Sequence, residues 1–338
     1  MKLKLRPVSE QVIVITGASS GIGLATAEMA AQAGARVILA SRNESDLLTA
    51  VNGIRSLGGR AYHIAVDVSD PDAVEAIANL AIEQFGGFHT WVNNAGIGMY
   101  GKLTETSLAD KRRLFDVDFW GVVHGCRTAV RHLSGSGGAI INVGSVASDR
   151  SAPLLGIYCA AKHAVKGYTD ALRMELEHDH IPISVSLVKP ASINTPFIEH
   201  ARSHMDAEPE FIPPVYAPEE VGRAILHCAQ RPTRDVLVGG SAKFLSAMGT
   251  LAPRTMDVYL GATAFSQQMR GEPNDGIDAL NRPRQDGRRR GPTTRLTMKR
   301  SAYTRAALSD AGRMLPFLAV SALAAGVMFG IGRQHDEA

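Results

Sequence analysis

Tyr158 and Lys162 stand four apart in the run Tyr-Cys-Ala-Ala-Lys, a spacing that sets a phenol and an ammonium side by side on one helix face. Such a pair can move a proton near neutral pH. A free tyrosine ionises near pH ~10, and bringing that to roughly 7 takes about 4 kcal/mol of preference for phenolate. One cation about 4 Å away, at an effective dielectric near 20, supplies a similar amount. Taken alone the pattern is weak, because Tyr and Lys fall four apart on many helices. Its meaning rests on the elements around it.

From residue 11 to about 240 the chain supplies a scaffold that could hold such a pair. Short apolar runs at 12–16, 36–40, 61–66, 90–93, 139–143, 183–188 and 236–238 alternate with helix-length stretches. That rhythm predicts a parallel sheet with helices on both faces, a doubly wound, Rossmann-like α/β fold of about seven strands. No repeat of fixed period interrupts it.

The run Thr16-Gly17-Ala18-Ser19-Ser20-Gly21-Ile22-Gly23 follows the first strand and opens a helix. Backbone N–H groups and a helix N-terminus therefore converge where a pyrophosphate could lie. Gly17, Ser19, Ser20, Gly21, Ile22 and Gly23 are the candidate cofactor residues there. An acid at the end of the second strand would accept from a ribose 2′-hydroxyl and repel a 2′-phosphate, but Ser41 and Arg42 stand in that place. A guanidinium there favours NADP over NAD, unless Arg42 merely points to solvent. Asp67 and Val68, ending the third strand, border the adenine ring or form a plain turn.

With the glycine turn, Asn93-Asn94-Ala95-Gly96 after the fourth strand, Ser145 after the fifth, and Tyr158 with Lys162, residues 8 to 240 resemble the short-chain dehydrogenase/reductase family. The resemblance implies that Tyr158 is the general acid/base, that Ser145 hydrogen-bonds the reacting oxygen, and that Lys162 holds the nicotinamide ribose and lowers the tyrosine pKa. It places Asn94, Ala95 and Gly96 beside the cofactor and Pro190, Ile193 and Thr195 near the nicotinamide amide and phosphates. It also implies a homo-oligomer, built through helices near 107–132 and 157–179.

Two positions depart from the family pattern. Asp118 stands where the family usually has Asn, as a fourth catalytic position. The backbone carbonyl there could still hold a water near Lys162, but a carboxylate close to that ammonium would oppose the lowering of Tyr158's pKa. Ala191 stands where Pro-Gly is more common, which restricts the backbone.

The formal net charge of +3 is too small to argue for nucleic acid. Cys126, Cys159 and Cys228 form neither a CxxC pair nor a zinc spacing, which suits buried side chains in a reducing compartment. His200 and His204 lack a third metal ligand and read as solvent-facing, so no metal is expected. The run 196–218 holds Phe197, Ile198, Met205, Phe211, Pro213, Pro214 and Tyr216 and reads as a lid. With Met99, Tyr100, Leu154 and Leu155 it suggests an apolar alcohol or carbonyl substrate, or simple packing.

Flanking segments complete the expectation: a tail at 1–10, the catalytic domain at 11–240, a basic, partly disordered linker at 241–313, a hydrophobic helix at 314–332 and a tail at 333–338. The nineteen uncharged residues 314–332 would cover roughly 28 Å as a helix, close to a hydrocarbon core. The basic flank upstream would keep the catalytic domain cytoplasmic, on a membrane anchor. The other reading is a soluble helix packed on the domain. In function, the expectation is an NADP-dependent oxidoreductase that interconverts an alcohol and a ketone or aldehyde. The alternative is a tethered nucleotide-binding scaffold or redox sensor with little turnover.

Overall fold

The computed structural model describes residues 3–309. Seven strands, β1 (Val12–Thr16), β2 (Arg36–Ser41), β3 (Arg60–Ala65), β4 (Thr90–Asn93), β5 (Gly138–Val143), β6 (Ile183–Pro190) and β7 (Asp235–Val238), make one sheet in the order β7-β6-β5-β4-β1-β2-β3. All six pairings are parallel. Each strand lies within two residues of its expected limits. The central strands are buried on both faces, which is why they read as continuous Val and Ile runs instead of alternating ones.

Helices α1 (Gly21–Gln32) and α2 (Glu44–Ser56) follow β1 and β2, and α3 (Pro71–Phe85) follows β3. Next come α4 (Leu108–Phe115), α5 (Gly121–Leu133) and α6 (Gly156–His178), with α7 (Pro218–Gln230) before β7. One core layer joins Ile13, Ile15 and Leu39 of the sheet to Leu47 of α2 and Val221 and Ile225 of α7. The opposite layer joins Val12, Val14 and Trp91 to Ile77 of α3, Cys126 of α5 and Val165 of α6. Side chains of alternate parity along β1 thus feed opposite layers, as strand geometry requires. None of the three cysteines forms a disulfide, and all three are buried.

Of the segment expected to be a partly disordered linker, the described part, residues 241–309, packs into the fold. It forms α8 (Gly240–Leu251), α9 (Pro253–Gln267) and α10 (Ala302–Leu308), and two short strands between α9 and α10. Strand 269–273 pairs antiparallel with 207–209, and 297–298 pairs parallel with 215–216. The physical reason is charge pairing at long range. Arg288 meets Glu199 at 2.9 Å, Arg290 meets Glu219 at 3.2 Å, Arg289 meets Glu28 at 3.4 Å and Arg270 meets Glu210 at 3.4 Å. A basic run that looks unpaired in sequence finds its acids elsewhere in the fold. The candidate membrane span 314–332 lies outside the described residues. Among the described residues no helix is long and apolar enough to cross a membrane.

Candidate active site

The strand order reverses between β1 and β4, so the loops after these strands diverge and open a crevice. Gly17 adopts φ +64°, and a Cβ there would lie 2.8 Å from the Ala95 backbone. The two loops can therefore touch only through glycine. Asn94 locks them: its Nδ2 donates to Thr16 O at 2.9 Å and Gly17 O at 3.2 Å, and its N–H donates to Thr16 Oγ1. Gly23 serves packing: a Cβ there would lie 2.2 Å from Gly17 O, and Gly23 is not part of the cleft wall.

A cavity of about 170 Å³ runs along this crevice, walled by Gly17, Ser19–Ile22, Arg42, Asp67, Val68, Asn94–Gly96 and Thr195. The N-terminus of α1 points into it, and Ser20, at the helix cap, makes no side-chain capping bond. The dipole of α1, the Ser19 and Ser20 hydroxyls and the lack of an acid at the end of β2 fit an elongated anionic dinucleotide.

Two of the expected adenosine contacts are engaged by the protein itself. Arg42 donates to Leu280 O at 3.1 Å and to Ala279 O, so its guanidinium does not point to solvent. Asp67 pairs with Arg113 and accepts from Ser69 Oγ at 2.8 Å. Burial pushes the Asp67 carboxyl up, but the Ser69 and Arg113 hydrogen bonds outweigh it and hold the group below the usual range.

At its inner end the crevice meets a second cavity of about 470 Å³. Ile22, Asn94, Gly96, Thr195 and Phe197 line both spaces. Ser145, Tyr158, Lys162, Pro190 and Ile193 line the second. Ser145 caps a helical turn after β5, and its Oγ accepts from Ala147 N at 3.1 Å. Tyr158 and Lys162 project from the first turns of α6, with the Lys162 Nζ 5.5 Å from the Tyr158 ring centroid. Phe197 packs edge-on against Tyr158 at 5.3 Å.

Asp118 lies behind this group, fully buried, and lines neither cavity. It sits in a π-helical turn, Asp116–Trp120, between α4 and α5, a local rewinding often found at functional sites. Its Oδ1 accepts from Ile97 N at 2.8 Å. Its Oδ2 lies 3.2 Å from Lys162 Nζ, close enough for an ion pair but outside hydrogen-bond alignment. Lys162 also reaches Val143 O at 3.4 Å.

The electrostatics differ from the expectation drawn from Tyr158 and Lys162 alone. Burial pushes the Tyr158 phenol well above its ordinary value, the Asp118 carboxylate pushes the same way, and a hydrogen bond from Ser145 partly offsets them. Tyr158 does retain some surface, toward the cavity. Burial also raises the Asp118 carboxyl, against the attraction of Lys162 and the Ile97 amide. The ammonium thus shares its field with a carboxylate, and a phenolate gains less from it than a lone lysine would give.

The expected lid is present as a short helical turn, Phe197–His200, and the strands that follow it. Phe211, Pro213 and Pro214 line the larger cavity, as do Tyr100 and Leu155, whereas Met99 and Leu154 are buried in the core. His200 is half-buried against Asp286 at 2.6 Å, whereas His204 is exposed, as expected, and lies 3.5 Å from Asp110. Ala191 costs nothing, because among the described non-glycine residues only Leu154 and His180 have positive φ.

Sequence reading missed the far wall of the larger cavity: Phe244 and Leu245 of α8, and Tyr259 and Leu260 of α9. The signal was there, in apolar residues at helical spacing (Leu245, Met248, Met256, Leu260, Ala264) that cluster with Ile212.

A switch-point crevice joined to a Ser-Tyr-Lys group defines a dinucleotide-binding oxidoreductase. The sequence profile described as short chain dehydrogenase matches residues 11–206, and the chain belongs to that family. An uncharacterized oxidoreductase of Bacillus subtilis, YxnA, is 43% identical over 277 residues, covering 81% of this chain and 78% of that protein. A 3beta-hydroxysteroid dehydrogenase of Mediterraneibacter gnavus is 36% identical over 193 residues, 57% of this chain and 69% of that protein. A Burkholderia phymatum short chain dehydrogenase/reductase solved in complex with NAD matches with TM-score 0.65 and 28% identity, over 82% of this chain and 99% of that one.

Proposed function

We propose that this enzyme interconverts an alcohol and a ketone or aldehyde on an apolar substrate, with Tyr158 as general acid/base. The observation that carries the reading is one mostly apolar cavity of about 470 Å³ that holds Ser145, Tyr158 and Lys162 and continues into the dinucleotide crevice. When bound, the nicotinamide dinucleotide supplies or accepts the hydride. Gly17, Ser19–Ile22, Asn94–Gly96 and Val68 would hold its adenosine and phosphates, with Pro190, Ile193 and Thr195 at the nicotinamide end. Ser145 orients the substrate oxygen and Tyr158 gives it, or takes from it, a proton. Lys162 keeps a positive charge beneath the phenol, and Asp118 positions Lys162.

NADP is the favoured cofactor, because β2 ends without an acid and the basic Arg42 and Arg284 line the crevice. That the Mediterraneibacter relative is named a 3beta-hydroxysteroid dehydrogenase is consistent with a large apolar substrate here. The Asp118–Lys162 pair is the one observation that favours the other reading, a nucleotide-binding protein with little turnover.

Mixing the protein with NADPH and a panel of apolar ketones separates the two. We expect turnover, lowered about 10²–10⁴-fold in Tyr158→Phe, the range for a lost general acid. Tight NADPH binding without turnover across the panel would favour the scaffold.

A further inference from the structure

The basic segment between α9 and α10 crosses the dinucleotide crevice and ties its two lips together. On the β2–α2 side, Arg42 donates to Leu280 O at 3.1 Å and Asn43 Nδ2 donates to Arg284 O at 2.9 Å. Asp46 Oδ2 accepts the N–H groups of Asp286 and Gly287 at 2.9 and 3.0 Å. On the lid side, Ala279 N donates to His200 O at 2.9 Å and His200 Nε2 meets Asp286 Oδ2 at 2.6 Å. Arg284 donates to Glu199 O at 2.9 Å, and Gly291 N donates to Asn194 Oδ1 at 3.1 Å. Leu280 is the peg: it is fully buried in the same apolar cluster as Val68 and Val117.

This segment roofs the crevice without filling it. Ala279, Pro283 and Arg284 line the same cavity as Ser19, Ile22, Asp67 and Val68, so space remains between roof and floor. Arg288 O does take the Gly21 N–H, at 2.9 Å, which leaves the Ile22 amide and the Ser19 and Ser20 hydroxyls facing the space.

We propose that residues 279–291 are a latch that retains the dinucleotide: the cofactor lies beneath them and leaves only when they open. This rests on the nucleotide-binding reading above. The latch joins elements distant in sequence by backbone and side-chain bonds at the crevice mouth, and those bonds must break for a nucleotide to pass. Cofactor exchange is then governed by a segment that contributes nothing to the proton-transfer group.

The test is NADPH release from the full chain, followed by stopped-flow fluorescence after mixing with excess NADP. Leu280→Ser withdraws the peg, and Asp286→Ala removes the His200 contact while leaving the peg in place, which covers the case that the first variant fails to fold. Release is expected to speed up about tenfold or more in Leu280→Ser, the scale set by one buried leucine, and by a smaller factor in Asp286→Ala. NADPH is also expected to protect the chain from trypsin at Arg284 and Arg288–Arg290. Unchanged release in both variants, with nucleotide still bound, would overturn the latch and leave the oxidoreductase reading standing. Tighter binding in the variants would overturn it too, since the segment would then be a competitor. Failure of wild type and variants alike to bind either nucleotide would sink both proposals.

Discussion

Replacing Asp118 by Asn restores the residue type usual in the family and removes one charge from a fully buried position. The sign follows from the site. The Asp118 carboxylate raises the Tyr158 pKa, so its loss lowers it, and alcohol oxidation, which needs the phenolate, moves to lower pH. The size can be bounded. Lys162 Nζ is 5.5 Å from the phenol ring centre and 3.2 Å from Asp118 Oδ2, so Oδ2 lies at most about 8.7 Å from the ring centre, the two distances laid end to end. At an effective dielectric near 20 a unit charge at that limit contributes about 1.9 kcal/mol, and at the phenol oxygen, about 2.8 Å beyond the ring centre at its farthest, still about 1.4 kcal/mol, or roughly one pH unit as a minimum. The assay is the pH profile of kcat/KM for oxidation of an apolar alcohol with NADP, wild type against Asp118→Asn. A displacement of about one unit toward acid is expected. A profile that stays put, with the variant folded and active, would refute the electrostatic coupling and leave Asp118 as packing only.

Two further outcomes test the other parts of the site. Leu260→Trp should fill the larger cavity from its α9 side, raising KM for bulky ketones about tenfold while leaving small ones near wild type; equal effects on both would remove α9 from the substrate site. Lys189 and Asp149 form a buried pair at 2.7 Å, and Asp149 also accepts from Ser246 Oγ of α8 at 2.7 Å. Lys189→Met should cost about 3 kcal/mol by stranding that carboxylate, read by urea unfolding; a loss below ~1 kcal/mol would show that water already solvates Asp149.

The strand limits, the glycine turn and the order of Ser145, Tyr158 and Lys162 were all legible along the chain, because each depends on neighbours a few residues away. Periodicity reports burial of short elements, and a glycine turn between strand and helix reports backbone geometry. Arg42 and Asp67 were legible as lining residues but not in their partners, Leu280 and Arg113, which lie far off in sequence.

What the sequence by itself determined is the doubly wound sheet and the placing of Tyr158 and Lys162 on one helix face, since both follow from local spacing. Tertiary structure alone decided how that pair is charged and enclosed. The Asp118 carboxylate reaches Lys162 only because a π-helical turn and α6 pack together. The basic segment after α9 is held by Leu280 in the core and by Glu199, Glu210 and Glu219, all distant from it in sequence. Coulomb energy depends on distance in space, and composition along a chain carries no record of that distance.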